Sequence, residues 1–152
     1  VENQIHFNSN CCESARLCLH NINNDRILMC NGALLLSPEI LRNIDYSVST
    51  VLCQQNDDYK NFDVGIIENG GILESMAVGV KTKLWSEVVY FSNRKAINSL
   101  YSIVSNAEYK NRFLFEAINM MLRDNRLFVK ENTDLRPVKI QNIKTLKRLT
   151  KI

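Results

Sequence analysis

The apolar residues of this chain keep one spacing before Phe91 and another after it. Upstream they alternate with polar residues or gather in short runs, the two-residue period of strands buried on one face or both. Downstream they fall at i, i+3, i+4 and i+7, the stripe of an amphipathic helix. Strands first and helices afterwards is the order of a segregated α+β domain, not of alternating βαβ units.

Along the chain, Ala15, Leu17 and Leu19 alternate with Arg16, Cys18 and His20, so 15–20 reads as a strand. "NINNDR" then supplies turn residues, and 27–36 reads as the returning strand of a hairpin, with Asn31-Gly32 as a bulge. Ser37, Pro38 and Glu39 carry the N-cap, the first-position proline and the first-turn acid of a short helix. "DYSVSTVLCQQ" alternates, "NDDYKN" breaks it, "FDVGIIE" is a short apolar strand and "NGG" a hairpin turn. Residues 72–91 supply one or two more strands with a turn near "KTK". Ser92 is placed to cap a helix carrying Ile97, Leu100, Tyr101 and Val104. A second helix carries Leu114, Ala117, Ile118, Met121 and Leu122 and ends at Asp124-Asn125, and "RLFVK" follows as a final strand. The expected fold is α+β: a bent antiparallel sheet formed mainly by the first ~90 residues, closed by two C-terminal helices, with a basic C-terminal arm. The matching division is a polar lead over 1–10, a single domain over 11–135 and the arm over 136–152.

A length of 152 residues suits one domain with a sizeable core, and 45% hydrophobic with 23% charged residues is a globular composition. No apolar run approaches the roughly 20 residues that span a bilayer and no signal-peptide pattern opens the chain, so no membrane partner is expected. Position 1 is Val, which reads as a fragment or a processed product. Cys11, Cys12, Cys18, Cys30 and Cys53 are odd in number, two are adjacent, and no C-x-x-C pair occurs. That pattern argues for packed thiols in a reducing compartment, hence an intracellular protein, nuclear or cytoplasmic.

Catalytic and metal motifs are weakly represented. On a strand, Cys18 and His20 would point the same way about 6.6 Å apart, which makes them the weak candidates for a metal. No tight C-x₂₋₄-C knuckle accompanies them, so no metal and no cofactor is expected. Asp57, Asp58, Asp63, Glu68 and Glu74, with Lys81 and Lys83, are the ingredients of a magnesium nuclease. Yet Glu74 is followed by Ser-Met rather than the required x-Lys, and acids in turns serve the local backbone. Ser92-Asn-Arg-Lys95 matches the S-x-x-K of serine acyl-enzymes without its companion motifs, and a plain N-cap explains Ser92. Neither G-x-x-x-x-G-K nor G-x-G-x-x-G is present, and neither His6 nor His20 has an evident activating partner. "CNGALLLSPEIL" and "NFDVGII" resemble two strands of trypsin-like proteases. The base histidine and the Gly-Asp-Ser-Gly motif are missing, so the resemblance implies strand packing, not proteolysis.

Charge is unevenly spread. Residues 1–125 hold 11 Lys/Arg against 14 Asp/Glu, and residues 126–152 hold 8 against 2. Within that basic stretch Ile140, Ile143, Leu146, Leu149 and Ile152 recur at every third position. On an α-helix such a line slips about 60° per step, too far for one flat core face. The sequence therefore assigns binding to Lys139, Ile140, Ile143, Lys144, Leu146, Lys147, Arg148, Leu149, Lys151 and Ile152, as an arm that orders against an outside surface. The function expected is a non-enzymatic protein–protein interaction domain, an adaptor or assembly subunit, whose partner offers an acidic groove. The alternative is a nucleic-acid-binding module holding phosphates through the same arm, and a degenerate or atypical hydrolase or nuclease comes third. A homo-oligomer is compatible with the same sequence.

Overall fold

The computed structural model describes residues 2–55, 60, 62–132, 138–140 and 147. In chain order its elements are α1 (Cys11–His20), β1 (Ile27–Cys30), β2 (Leu34–Leu35), α2 (Pro38–Arg42), β3 (Thr50–Gln55), β4 (Val64–Asn69), β5 (Ile72–Val78), β6 (Lys83–Phe91), α3 (Arg94–Val104), α4 (Leu114–Met121), β7 (Phe128–Glu131) and β8 (Val138–Lys139). No helix among the described residues is long and apolar enough to cross a membrane.

The first correction falls on 15–20, which is helix, not strand. Asn10 caps α1 by accepting from the Cys11 N–H at 2.7 Å, and Cys12, Ala15 and Leu19 form the buried stripe. Those positions stand at i, i+3 and i+7, and the alternation of Ala15, Leu17 and Leu19 shares two members with that helical set. Leu17 is the member that does not fit, being only partly buried.

The second correction concerns the sheet. It is neither wholly antiparallel nor open. β7 returns after α3 and α4 to lie parallel to β3, from Thr50↔Phe128 to Cys53↔Glu131. The strand order is β1-β6-β3-β7-β5-β4, and β4 pairs again with β6. Five strands thus close into a ring, with β1 attached outside it. Closure depends on the length of β6: its start pairs with β4 at Lys83 and Leu84, while its end pairs with β1 from Val88 to Phe91. The two helices expected to close the sheet connect β6 to β7, which lie on either side of β3, one antiparallel and one parallel to it.

Burial on both faces explains the unbroken "VVYF" run in β6. Val89 and Phe91 join the main core with Val51, Ile97, Leu100, Ile118, Met121 and Leu127. Val88 and Tyr90 face the other way into a smaller cluster with Ile40, Ile44 and Leu52. α1, α3 and α4 cover the first face and α2 the second. Asn93, not Ser92, caps α3, accepting from the Ala96 N–H at 2.9 Å. The Ser92 N–H donates instead to Ser49 Oγ at 3.0 Å, and the two serine hydroxyls lie 3.2 Å apart, so Ser92 stands one residue ahead of the cap and is not the N-cap the sequence suggests. The "NGG" turn stands as expected, with Gly70 and Gly71 at φ 57° and 78°.

The arm begins on the body. Val138 and Lys139 pair with Leu35 and Leu34 of β2, and the Ile140 N–H donates to the Ala33 carbonyl at 2.7 Å. Lys147 is exposed, and Ile143, Lys144, Leu146, Arg148, Leu149, Lys151 and Ile152 lie outside the described residues, as do Asp57 and Asp58.

Candidate functional site

A bulge in β6 sets up the site. Between the pairs Val51↔Val89 and Cys53↔Trp85, β3 contributes Leu52 alone while β6 contributes Ser86, Glu87 and Val88. Bulges bend a strand and re-aim side chains, and they gather beside functional sites. Glu87 takes up the strain at φ 57°, alone among the described non-glycine residues in having a positive φ. The Trp85 indole N–H donates to the Val88 carbonyl at 3.3 Å, spanning the bulge from inside.

Glu87 is held from two directions. Asn31 Nδ2 donates to its carboxylate at 2.5 Å and the Asn31 N–H donates to its carbonyl at 3.2 Å. Lys139 Nζ completes an ion pair with the same carboxylate. Asn31 Oδ1 accepts from the Ala33 N–H at 2.9 Å, and Ala33 in turn receives Ile140. The turn after β1, the bulge and β8 are therefore one network.

This network lies on a cleft of about 1080 Å³. One wall is α1, through Cys11, Ser14 and Cys18, and another is β1, through Leu28 and Cys30. Gln54, Trp85, Ser86 and Glu87 come from β3 and β6, while Lys60, Phe62, Asp63, Phe113, Phe115 and Lys139 also line it. Phe113 and Phe115 stack with ring centres 5.9 Å apart. Largely apolar walls with a few convergent polar groups are the usual make-up of a small-molecule site. Two buried side-chain atoms in it have no hydrogen-bond partner, Ser86 Oγ and Gln54 Oε1.

Of the residues singled out from sequence, Lys139, Asp63 and Cys18 line the cleft. Cys18 and His20 do not share a side. Two residues apart on a helix is about 200° of rotation, and His20 Nδ1 instead meets the Tyr101 hydroxyl at 2.7 Å. Among the described residues no group of three His, Cys, Asp or Glu side chains is placed to hold a metal ion. Glu68 and Lys83, two of the nuclease ingredients, form a clamp where the ring closes. Lys83 Nζ lies 2.6 Å from Glu68 and 3.1 Å from Glu131, and the hydrogen bonds it donates to those two carboxylates raise its pKa. Sequence reasoning missed Gln54, Ser86 and Glu87. The available signal was the polar pair "SE" interrupting an otherwise apolar "LW..VVYF".

The thiols divide by burial. Desolvation pushes Cys12 and Cys53 up from 9.0 to about 12, and Cys11 is raised for the same reason despite an N–H donated by Leu114 at 3.0 Å. A native thiol that resists ionising costs stability once the unfolded thiol begins to ionise. Full stability is therefore present below pH 9.0 and is lost as pH rises toward about 12. Lys83, also raised by its partners, adds loss in the same direction. We predict unfolding of the native chain in that window, delayed in a Cys12→Ala/Cys53→Ala variant, with circular dichroism against pH as the measurement. At neutral pH a maleimide should label Cys18 and Cys30, both exposed, and leave Cys12 and Cys53 unmodified until denaturant is added.

No protein-family model matches the sequence, and no curated protein does. Solved structures do match the fold. The CTP:phosphocholine cytidylyltransferase of Streptococcus pneumoniae superposes with a TM-score of 0.76 at 13% identity, over 98% of this chain and 66% of that one. The inositol-1-phosphate CTP transferase of T. maritima gives 0.68 at 10% identity, over 87% and 56%. A UDP-glucose pyrophosphorylase complexed with UDP-glucose gives 0.64 at 8% identity, over 95% and 63%. The chain thus spans between 56% and 66% of these three proteins. The non-enzymatic adaptor reading rested on the spacing and charge of the C-terminal arm and is withdrawn, because the solved structures that match this fold are nucleotidyltransferases. At such identities the likeness is one of architecture, and that architecture is the nucleotidyltransferase fold.

Proposed function

We propose that this chain is part of a nucleotidyltransferase, an enzyme that joins a nucleoside triphosphate to a phosphorylated small molecule. The observation that carries the reading is the superposition of nearly the whole chain, 98% of it, on a cytidylyltransferase. The cleft supports it in size: about 1080 Å³ is at the upper end for small-molecule sites, enough for a nucleotide and a compact acceptor. In such a reaction an oxygen of the acceptor phosphate bonds to the α-phosphorus of the triphosphate. The bond to the β-phosphate breaks, and pyrophosphate leaves with that electron pair. The step needs positive charge beside the phosphates. Lys60 and Lys139 are the cations lining the cleft, and Lys139 is free to exchange Glu87 for a phosphate oxygen because both side chains reach solvent.

Nucleotidyl transfer commonly enlists a divalent ion. The cleft offers the carboxylates Asp63 and Glu87, and Glu87 is already engaged by Asn31 and Lys139. The described residues do not fit a metal ion. The free thiols suit a reducing intracellular compartment.

The test is binding, since the chain spans only part of its neighbours. CTP, UTP, dTTP and ATP, each with phosphocholine, inositol 1-phosphate or glucose 1-phosphate, are screened by thermal shift and calorimetry. One pair should raise Tm by roughly 5–10 °C at a hundredfold excess over Kd. Flat melting curves across all pairs, with no heat of binding, defeat the reading.

A further inference from the structure

We infer that Gln54 and Ser86 form a specificity pair that reads a hydroxyl group on the acceptor. This rests on the nucleotidyltransferase reading for the identity of the ligand, while the pair itself rests on geometry. Ser86 is 5% exposed, and its Oγ has no hydrogen-bond partner. Gln54 Oε1 is likewise buried and unpartnered. Both residues line the cleft, on neighbouring strands at the bulge end of the β3–β6 pairing. Buried polar atoms are almost always satisfied, so orphans of this kind in a native site need an explanation. Among the described residues four side-chain atoms are orphaned in this way, and two of the four sit on this cleft.

The chemistry of the two atoms narrows what can satisfy them. Gln54 Oε1 only accepts, so its partner must donate. Ser86 Oγ donates or accepts. A phosphate oxygen in ionised form has no proton for Gln54, and a quaternary ammonium has neither a donor nor an acceptor. A hydroxyl can give its proton to Gln54 and take one from Ser86. Leu84 and Trp85 line the cleft beside them and suit the carbon face of a ring. The acceptor class that meets these conditions is a phosphorylated polyol or sugar, held at its hydroxyls by Gln54 and Ser86.

Calorimetry on the full chain tests this with glucose 1-phosphate, inositol 1-phosphate and phosphocholine as probes, each with and without nucleotide. The wild-type chain should bind a polyol phosphate roughly 10- to 100-fold more tightly than phosphocholine, as sites built around a hydroxyl do. Ser86→Ala and Gln54→Met should lose that discrimination, with polyol-phosphate affinity falling more than nucleotide affinity. Each unliganded variant should melt at or above the wild-type temperature, because an unpaired buried atom has been removed. A merely structural role predicts the reverse, a lower Tm with all affinities falling together, and that result overturns the inference. Equal wild-type affinity for polyol phosphate and phosphocholine overturns it too, while leaving nucleotide binding to judge the enzyme reading. Polyol-phosphate discrimination without any nucleotide binding supports the hydroxyl pair and overturns the enzyme reading. No binding by any probe overturns both.

Discussion

Replacing Gly65 by alanine should cost this fold more than any other single methyl group. A Cβ at position 65 would lie 2.0 Å from the carbonyl oxygen of Val80 and 2.8 Å from its carbonyl carbon. The obstacle is backbone, so no rotamer change relieves it. Gly65 is buried in β4 where that strand is paired on both sides, with Ala77 of β5 and Leu84 of β6. Val80 sits over it in the β5–β6 connection, which the Gly79 N–H anchors by donating to the Asp63 carbonyl at 3.2 Å. Moving Val80 away therefore disturbs the closure of the ring as well as the turn. Overpacking of this kind costs about 3 kcal/mol, the upper part of the range for inserted methyl groups. For a chain of this size Tm should fall by roughly 6–12 °C. Gly32→Ala is the control, because an added Cβ there meets nothing within 4 Å. Its Tm should stay within a degree or two of wild type. Equal melting temperatures for the two variants would sink the account of how β4 is seated.

The elements were more legible than their arrangement. Local signals at Ser37-Pro38 and Asn69-Gly70-Gly71 place α2 and the β4–β5 hairpin correctly, because a first-position proline and positive φ are properties of a few adjacent residues, although the Ser37 side chain makes no cap bond. The stripes through Ile97 and Leu100 and through Ala117 and Ile118 place α3 and α4, since each is buried on one face only. What those helices connect is not a local property. "RLFVK" carries no mark that distinguishes a parallel central strand from an antiparallel edge, and its partner β3 lies far upstream in the chain. The parallel pairing hides in that one strand. α1 failed for a different reason: over six residues, Ala15, Leu17 and Leu19 satisfy the strand period while Cys12, Ala15 and Leu19 satisfy the helical one. Only the Asn10 cap breaks the tie.

The site was less legible still, for a reason with physical content. Its polar members, Gln54, Ser86 and Glu87, are ordinary surface residue types, and nothing in a single sequence says that they face inward. A bulge brings them there. Glu87 at positive φ departs from the local rule that would put glycine at such a position. Its compensation is the network of Asn31 and Lys139, drawn from positions 56 residues upstream and 52 downstream. The arm residue that sequence reasoning assigned to an outside partner thus has a role in the body, in the same cleft as the bulge it steadies.

The second large effect concerns Asn119, which closes a gap in the ring. Among the described residues β5 and β7 pair only at Ile72↔Phe128, flanked by two bonds, from the Leu73 N–H to the Leu127 carbonyl at 2.9 Å and from the Val129 N–H to the Gly71 carbonyl at 2.8 Å. Beyond that point no strand among the described residues lies on the facing edge of β5, and α4 supplies a ladder rung there. Asn119 Oδ1 accepts from the Met76 N–H at 2.8 Å, and Nδ2 donates to the Met76 carbonyl at 2.7 Å. Met76 is 1% exposed, so water has little access to either group. Asn119→Leu strands one backbone donor and one acceptor and should cost about 3 kcal/mol, in the range for two unsatisfied buried groups. Asn119→Asp separates the two bonds by pH. Protonated, the carboxylic acid can still accept from the N–H and donate to the carbonyl; ionised, it accepts but faces a carbonyl oxygen with negative charge. The folded-state pKa of that carboxyl is thereby raised, and the native state holds its proton longer than the unfolded chain. The variant should come closest to wild type below about pH 4 and lose stability as pH rises through the folded-state value. Urea melts at pH 4 and pH 7 check this: a gap to wild type that does not widen at pH 7 would mean that the Nδ2 bond to Met76 contributes nothing to closing the ring.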